Sequence, residues 1–334
     1  APGKGVDGAY VVVLKDGADP RGVAAAAGVR PRLVYTAALS GFAAELNAGQ
    51  LTALRHHPAV EYVEQDQVVA AQQAIHWGLD RIDQQFLPLN GSYGANTGAA
   101  GVYVYVIDTG ITPTHPELAG RTSNVFDAFG GTGADCHGHG TMLARIIGSG
   151  TVGVAKQVQL RGLRVLNCTG SGTTSGIIAG VDWVRVNRIT PAVANLALGG
   201  GGSAALNTAV NNLANSGVAV AVAAGNGGTL ACSVSPAGAT AALTVAASTI
   251  ADASSPGTNY GSCVDLYAPG SSPGGSGTSY SSAYVAGVAA LYKFYNPAAS
   301  TPAVNAWIVG NATPGVLSGV PAGTPNLLLY KSTL

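Results

Sequence analysis

The sequence predicts an α/β protein, a mostly parallel sheet with helices on both faces, preceded by a small α+β unit. Two observations predict the large part. From Trp77 onward, apolar strand candidates at 102–107, 158–166, 192–197, 218–223, 242–247 and 263–267 alternate with helical stretches at 139–149, 172–188, 203–216 and 279–295. That alternation is the signature of parallel strands joined by helical crossovers. Hydrophobic residues make up 47% of the chain and charged residues 10%, which suits a well-buried core and argues against disorder. The third observation is a different rhythm before Trp77, so the 334 residues divide into a small domain and a large one.

The small unit spans residues 8–69. Ala9 to Leu14 reads as a strand, and Pro20 to Ala27 as an Ala-rich helix stopped by Gly28. Ser40 to Leu46 is a second strand, Ala48 to His56 a second helix and Val60 to Glu64 a third strand. The pattern is that of a ferredoxin-like module. Ala70-Ala71-Gln72-Gln73-Ala74 is small and polar and reads as an exposed junction. Ser271 to Ser276 is the one linker-like stretch of the large part.

Composition excludes several classes of function. Formal net charge is zero, and no basic patch points to nucleic acid or to a membrane surface. No apolar stretch approaches the ~20 residues that a spanning helix needs. No G-x-G-x-x-G opens a helix after the first strand, which argues against a dinucleotide-binding fold. The four cysteines, Cys136, Cys168, Cys232 and Cys263, allow two disulfides in three pairings, and the absence of C-x-x-C argues against zinc.

Three distant segments carry chemistry. Val102 to Gly110 places Asp108 at the end of an apolar run, Gly138-His139-Gly140-Thr141 places an imidazole between glycines, and Gly277-Thr278-Ser279 places a hydroxyl before an Ala/Val-rich stretch. In the order Asp, His, Ser they match one of the three known chain orders of a hydrolytic triad. A serine hydroxyl is a poor nucleophile until a base takes its proton, and an imidazole oriented by a carboxylate is that base. His137 is the rival imidazole. Ser279 is expected at a helix N-terminus, where free N–H groups favour negative charge. Asp108 and Asn226 both follow strand candidates, where α/β sheets carry their sites.

At these residues the chain resembles the subtilisin-like serine proteases, proteinase K and aqualysin branch, with an inhibitory N-terminal pro-region attached. The resemblance runs through Trp77 to Gln84, Gly153 to Lys156, Leu163 to Leu166, Gly180 to Val184, Ala224-Gly225-Asn226 and Asn259 to Leu266. It implies a three-layer subtilisin-like fold, with residues 1–73 as the inhibitory and chaperoning pro-region and 74–334 as the peptidase domain. It places pro-region cleavage between about residues 69 and 76. Asp108, His139 and Ser279 are then catalytic, with the Asn226 side chain and the Ser279 N–H as the oxyanion hole. Substrate is expected as an added strand between Gly170-Ser171-Gly172 and Leu198-Gly199-Gly200. Ala223, Ala224 and Gly225 would line a roomy first pocket that prefers large apolar or aromatic residues.

The resemblance further implies the disulfides Cys136–Cys168 and Cys232–Cys263, hence an oxidising, extracellular location. The start at Ala1-Pro2-Gly3, without Met, is read as the product of signal-peptide removal. Asp80, Asp83 and Gln84 resemble a calcium site of hard oxygen donors. No cofactor is expected for catalysis. Partners are polypeptide substrates and the chain's own pro-region, with no nucleic acid or membrane and a monomeric state.

Three segments depart from the resembled pattern. Where the family reads Gly-Thr-His-Val-Ala-Gly, this chain has Gly140-Thr141-Met142-Leu143-Ala144-Arg145. Arg145 must therefore find water or a partner. Where the family reads Ser-Met-Ala-Thr-Pro-His, this chain has Ser279-Tyr280-Ser281-Ser282-Ala283-Tyr284, losing a proline and gaining two aromatic rings. Only six residues join Gly270 to Gly277. The leading reading is a secreted serine endopeptidase made as a zymogen. The rivals are a catalytically weak scaffold that keeps its pro-region bound, and an esterase or polyester hydrolase using the same triad.

Overall fold

The run Val11-Val12-Val13-Leu14 is apolar at every position because both of its faces are covered. The computed structural model describes residues 5–71, 77–118, 120–272 and 275–334. The small N-terminal domain contains β1 (Gly5–Leu14), α1 (Pro20–Ala26), β2 (Leu33–Tyr35), β3 (Gly41–Glu45), α2 (Ala48–Arg55) and β4 (Val60–Ala71). Val12 and Leu14 point to α1 and α2 and join Phe42 and Leu54 in a private core. Val11 and Val13 point the other way and join a core shared with the large domain. Period-two geometry thus turns one apolar run into two interfaces. Asp19 caps α1 through the N–H groups of Arg21 and Gly22, and Asn47 with Gln50 closes a capping box on α2.

The large domain continues with α3 (Gly78–Asp83), β5 (Tyr103–Asp108), β6 (Thr122–Asp127), α4 (His139–Gly148) and β7 (Gln159–Arg164). Next come β8 (Ser171–Thr173), α5 (Thr174–Asn187), β9 (Ala192–Leu196), β10 (Leu198–Gly201), α6 (Ala204–Asn215), β11 (Ala219–Ala223), β12 (Val234–Ser235) and β13 (Leu243–Ser248). The chain ends with β14 (Leu266–Pro269), β15 (Ser271–Ser272), β16 (Gly275–Ser276), α7 (Thr278–Tyr295), α8 (Thr301–Asn311), β17 (Thr313–Pro314) and β18 (Leu327–Leu328). The central sheet runs β6-β7-β5-β9-β11-β13-β14-β18-β17, with every pair parallel except the last. Val104 and Val106 face α4 and α7, while Tyr105 and Ile107 face α5 and α6. The expected three layers are therefore present.

Several elements differ from expectation. The third N-terminal strand does not stop at Glu64 but runs on to Ala71, because its far end finds new partners in the large domain. β2, β6 and α8 are additional elements. The stretch read as a linker forms the hairpin strands β15 and β16, with Pro273 and Gly274 outside the described residues. The junction at 70–74 is described only as far as Ala71. Disulfides join Cys136 to Cys168 and Cys232 to Cys263, as the resemblance implied. The first ties the loop before α4 to the turn before β8.

One buried carboxylate makes stability depend on pH. Asp265 accepts the Thr244 N–H at 2.7 Å, and burial pushes its carboxyl from 3.8 up to about 6. A raised acid stabilises fully below its ordinary value and loses that contribution as pH climbs through the raised one. Asp265→Asn keeps an acceptor for Thr244 and removes the charge. The thermal midpoint of this variant is expected ~2–6 °C above the parent at pH 8, converging with it below pH 4.

Candidate active site

Asp108 ends β5 and His139 begins α4, and both side chains are fully buried. His139 Nδ1 lies 2.7 Å from Asp108 Oδ1, which also accepts the Thr109 N–H at 2.7 Å. Asp108 Oδ2 has no hydrogen-bond partner among the described residues. Thr109 Oγ1 in turn accepts the Gly140 N–H at 2.9 Å. A Cβ at Gly140 would sit 2.1 Å from the Gly110 carbonyl oxygen, so only glycine lets α4 start this close to the end of β5.

Ser279 is the second residue of α7 and is buried. Its Oγ donates to the Ala197 carbonyl at 2.9 Å, in the turn between β9 and β10. Asn226 follows β11. Its Oδ1 accepts the Thr278 N–H at 3.0 Å, and Thr278 Oγ1 accepts the Gly225 N–H at 3.0 Å. These bonds lock the strand end to the helix start. They leave Asn226 Nδ2 as a buried donor without a partner among the described residues. Gly277 sits at φ 153°, and a Cβ there would lie 2.8 Å from that Nδ2. Beside these groups opens a cavity of about 330 Å³. Ala223, Ala224, Gly225, Leu198, Gly199, Gly200 and Ser279 all line it, so most expected site residues meet at one place. Asn259 holds its floor by bonding Gly227 N, Thr229 N and Ala224 O, a role that no sequence signal marks.

The far end of β4 lies between the two expected walls. Val68, Val69 and Ala70 pair antiparallel with Thr173, Gly172 and Ser171, while Ala70 and Ala71 pair with Gly199 and Leu198. One strand therefore joins the sheet of the small domain to β8, β10 and β12. Two carboxylates on β4 fasten it by capping helices. Asp66 accepts from Ser175 N at 2.9 Å and from Ser175 Oγ at the start of α5, with Arg32 at 3.1 Å. Glu64 accepts from Ser203 Oγ and, at 3.2 Å, from Ala205 N at the start of α6. Burial pushes the Glu64 carboxyl up, against the pull of these hydrogen bonds. In return Asp182 of α5 accepts the N–H groups of Ala37, at 2.7 Å, and Ala38. The fastening roles of Glu64, Asp66 and Asp182 are not legible in the sequence, because, Arg32 apart, the partners named here stand more than 100 positions away.

The departing residues find their places. The Tyr280 ring packs edge to face with His139, centroids 5.7 Å apart at 84°. Tyr284 is buried against Gly78 and donates to the Ser271 carbonyl at 3.0 Å. Arg145 reaches Glu117 at 2.8 Å, and this hydrogen bond holds the Glu117 carboxyl below the usual range. Ser282 Oγ bonds back to the Ser279 carbonyl at 2.7 Å within the turn.

Asp80, Asp83 and Gln84 lie on and just beyond α3 and fasten the loop that follows. Asp80 accepts from Asn90 N and Gly91 N, Asp83 from Gly94 N, and Gln84 from Asn90 N. Their hard oxygens fit the donor chemistry of calcium. The other Asp83 oxygen, however, is already paired with the Lys331 ammonium at 2.9 Å.

Comparison with known proteins gives the family. Residues 99–326 match the subtilase family, peptidase S8, and residues 9–72 match the peptidase inhibitor I9 family. The chain is 45% identical to an extracellular serine proteinase of Thermus sp. (strain Rt41A), over 97% of this chain and 90% of that protein. It is 40% identical to proteinase R of Parengyodontium album, over 99% and 91%. The crystal structure of a cold adapted subtilisin-like serine proteinase is similar at TM-score 0.74 and 46% identity, covering 78% of this chain and 99% of that one. The chain belongs to the subtilase family and carries an I9 pro-region.

Proposed function

We propose that the protein is a secreted serine endopeptidase made as a zymogen, with residues 1–73 as its pro-region and 74–334 as a monomeric peptidase domain. The observation that carries this reading is the run Val68 to Ala71, laid as an added strand between β8 and β10, opposite Leu198 and Gly199, which line the same cavity as Ser279. Its backbone lies where a substrate strand is held in this mode of recognition.

In the proposed reaction, the Ser279 hydroxyl leaves the Ala197 carbonyl and gives its proton to His139 Nε2 as Oγ attacks the scissile carbonyl. Asp108 fixes the Nδ1–H tautomer and stabilises the imidazolium. The oxyanion takes hydrogen bonds from Asn226 Nδ2 and the Ser279 N–H. The C–N bond then breaks and His139 protonates the leaving amine. Water, deprotonated by the same imidazole, attacks the acyl-enzyme and releases the acid.

The cavity walls at Ala223, Ala224 and Gly225 are small, which supports a preference for large apolar or aromatic residues before the cut. Peptides differing only there should show Phe over Ala by ~10–100-fold in kcat/KM. Matched ester and amide substrates test the esterase alternative. Hydrolysis of the ester alone would sink the peptidase reading. A calcium ion at Asp80, Asp83 and Gln84 enters the proposal only as a structural brace. If it binds, millimolar calcium raises the thermal midpoint over a chelated sample. An unchanged midpoint leaves the loop to Lys331 and its own hydrogen bonds.

A further inference from the structure

Asn195 is a fully buried polar residue that the proposed reaction does not use. It lies in β9, and neither Oδ1 nor Nδ2 of its carboxamide has a hydrogen-bond partner among the described residues. Val193 and Ala197, two positions to either side, belong to the core that β9 shares with α4 and α7, so Asn195 points to that same face. Asp108 also points there, since Val104 and Val106 precede it at the same spacing. Its Oδ1 meets both His139 Nδ1 and the Thr109 N–H, while its Oδ2 is buried without a partner among the described residues. Asn195 and Asp108 thus hold three unpaired polar atoms, one donor and two acceptors.

The strand register places the two side chains close together. Asn195 is the cross-strand partner of Val106 on one side and of Ala221 on the other. Asp108 stands two positions beyond Val106 on the same face. Two positions along a strand span ~6.6 Å and adjacent strands lie ~4.8 Å apart, so the two Cβ atoms are about 8 Å apart. The carboxamide and the carboxylate make no direct bond, and the span suits a bridge of one water. Ala221 is small and leaves room beside the carboxamide. A buried polar atom left unpaired is costly, and bound water is the usual remedy where two or more such atoms meet. Asn195 also stands two positions before Ala197, whose carbonyl receives the Ser279 hydroxyl.

We propose that Asn195 is a positioning residue that holds Asp108 through one buried water, accepting from Asn195 Nδ2 and donating to Asp108 Oδ2, an inference that rests on the peptidase reading above. The two printed bonds of the carboxylate, to Thr109 and His139, both fall on Oδ1. A third bond on Oδ2 stops the carboxylate from turning about its Cβ–Cγ bond. Oδ1 then stays aimed at His139 Nδ1 and keeps the tautomer that the reaction needs.

A crystal structure of the matured enzyme, at a resolution that orders water, reads the bridge directly. Water density within hydrogen-bond distance of both Asn195 and Asp108 Oδ2 is expected. A dry site, or a direct bond between carboxamide and carboxylate, overturns the inference. Two variants test the consequence. Asn195→Leu keeps the branched shape without the polar atoms, and its kcat on a peptide is expected to fall ~10-fold with KM unchanged, the worth of one hydrogen bond to a charged group. The low-field proton resonance of the His139 Nδ1–H shifts with it. Asn195→Ser returns a hydroxyl to the water, and with it most of kcat and the parent resonance. Parent-like kcat and resonance in Asn195→Leu, or equal losses in both variants, overturn the inference as well. Failure of the parent to cut any peptide overturns the peptidase reading, while the density and the resonance still report on the bridge.

Discussion

Ser279→Ala leaves the chain at full length while the parent sheds its first ~70–75 residues. Mass spectrometry over time after expression reads this directly. Removing the nucleophile of such a triad costs about 10⁶-fold in turnover, so self-cleavage in the variant falls outside any practical window. The variant should still fold, because Ser279 contributes one hydrogen bond to Ala197 and the helix start is held independently by Asn226 and Thr278. Loss of the N-terminal residues from both proteins at one rate would mean that another protease cuts them. Two folded, uncut proteins would favour the binding scaffold. The substituted helix would then be the cause, with Tyr280 against the imidazole as the first residue to revert.

Asn226→Ala lowers kcat by about 10²–10³-fold with KM nearly unchanged, as in another member of the family. The donor Nδ2 is buried and without a partner among the described residues, an expensive state unless a ligand completes it. Because Oδ1 also holds Thr278, alanine removes a structural bond as well. Asn226→Asp separates the two roles, keeping the acceptor and replacing the donor with a negative charge. It should fold as stably as the parent, yet lose at least as much kcat as alanine. Recovery of kcat in Asn226→Asp would assign the residue to holding the helix rather than to the oxyanion.

Much of the fold is legible in the sequence because β5, β9, β11 and β13 are buried on both faces and therefore read as mostly apolar runs, interrupted only at Asn195, Thr244 and the ends Asp108 and Ser248. β6 is not legible for the opposite reason. It is an edge strand, half-buried at all six positions, and its residues follow no period. β10 is mostly glycine and reads as a loop, and its strand character exists only through β4 and β12. The signals of α8 were there to use, with Ser300 as N-cap and Pro302 in the first turn. At the site, Asp108, His139 and Ser279 stand in short motifs and can be found by eye. The Ala197 carbonyl that receives the serine hydroxyl has no motif, since any residue supplies a carbonyl.

The length of β4 has a consequence for the timing of activation. On the proposed reading, a cut beyond Ala71 would leave the strand's hydrogen bonds to β8 and β10 all on one side of the broken bond, so scission alone would free nothing. The severed end would then stay seated as a product, and the groove would open only when the whole small domain lets go or is itself digested. Latency in a zymogen of this kind would be governed by a dissociation rate rather than by a rate of chemistry. A preparation can be fully cleaved, as judged by mass, and still be silent.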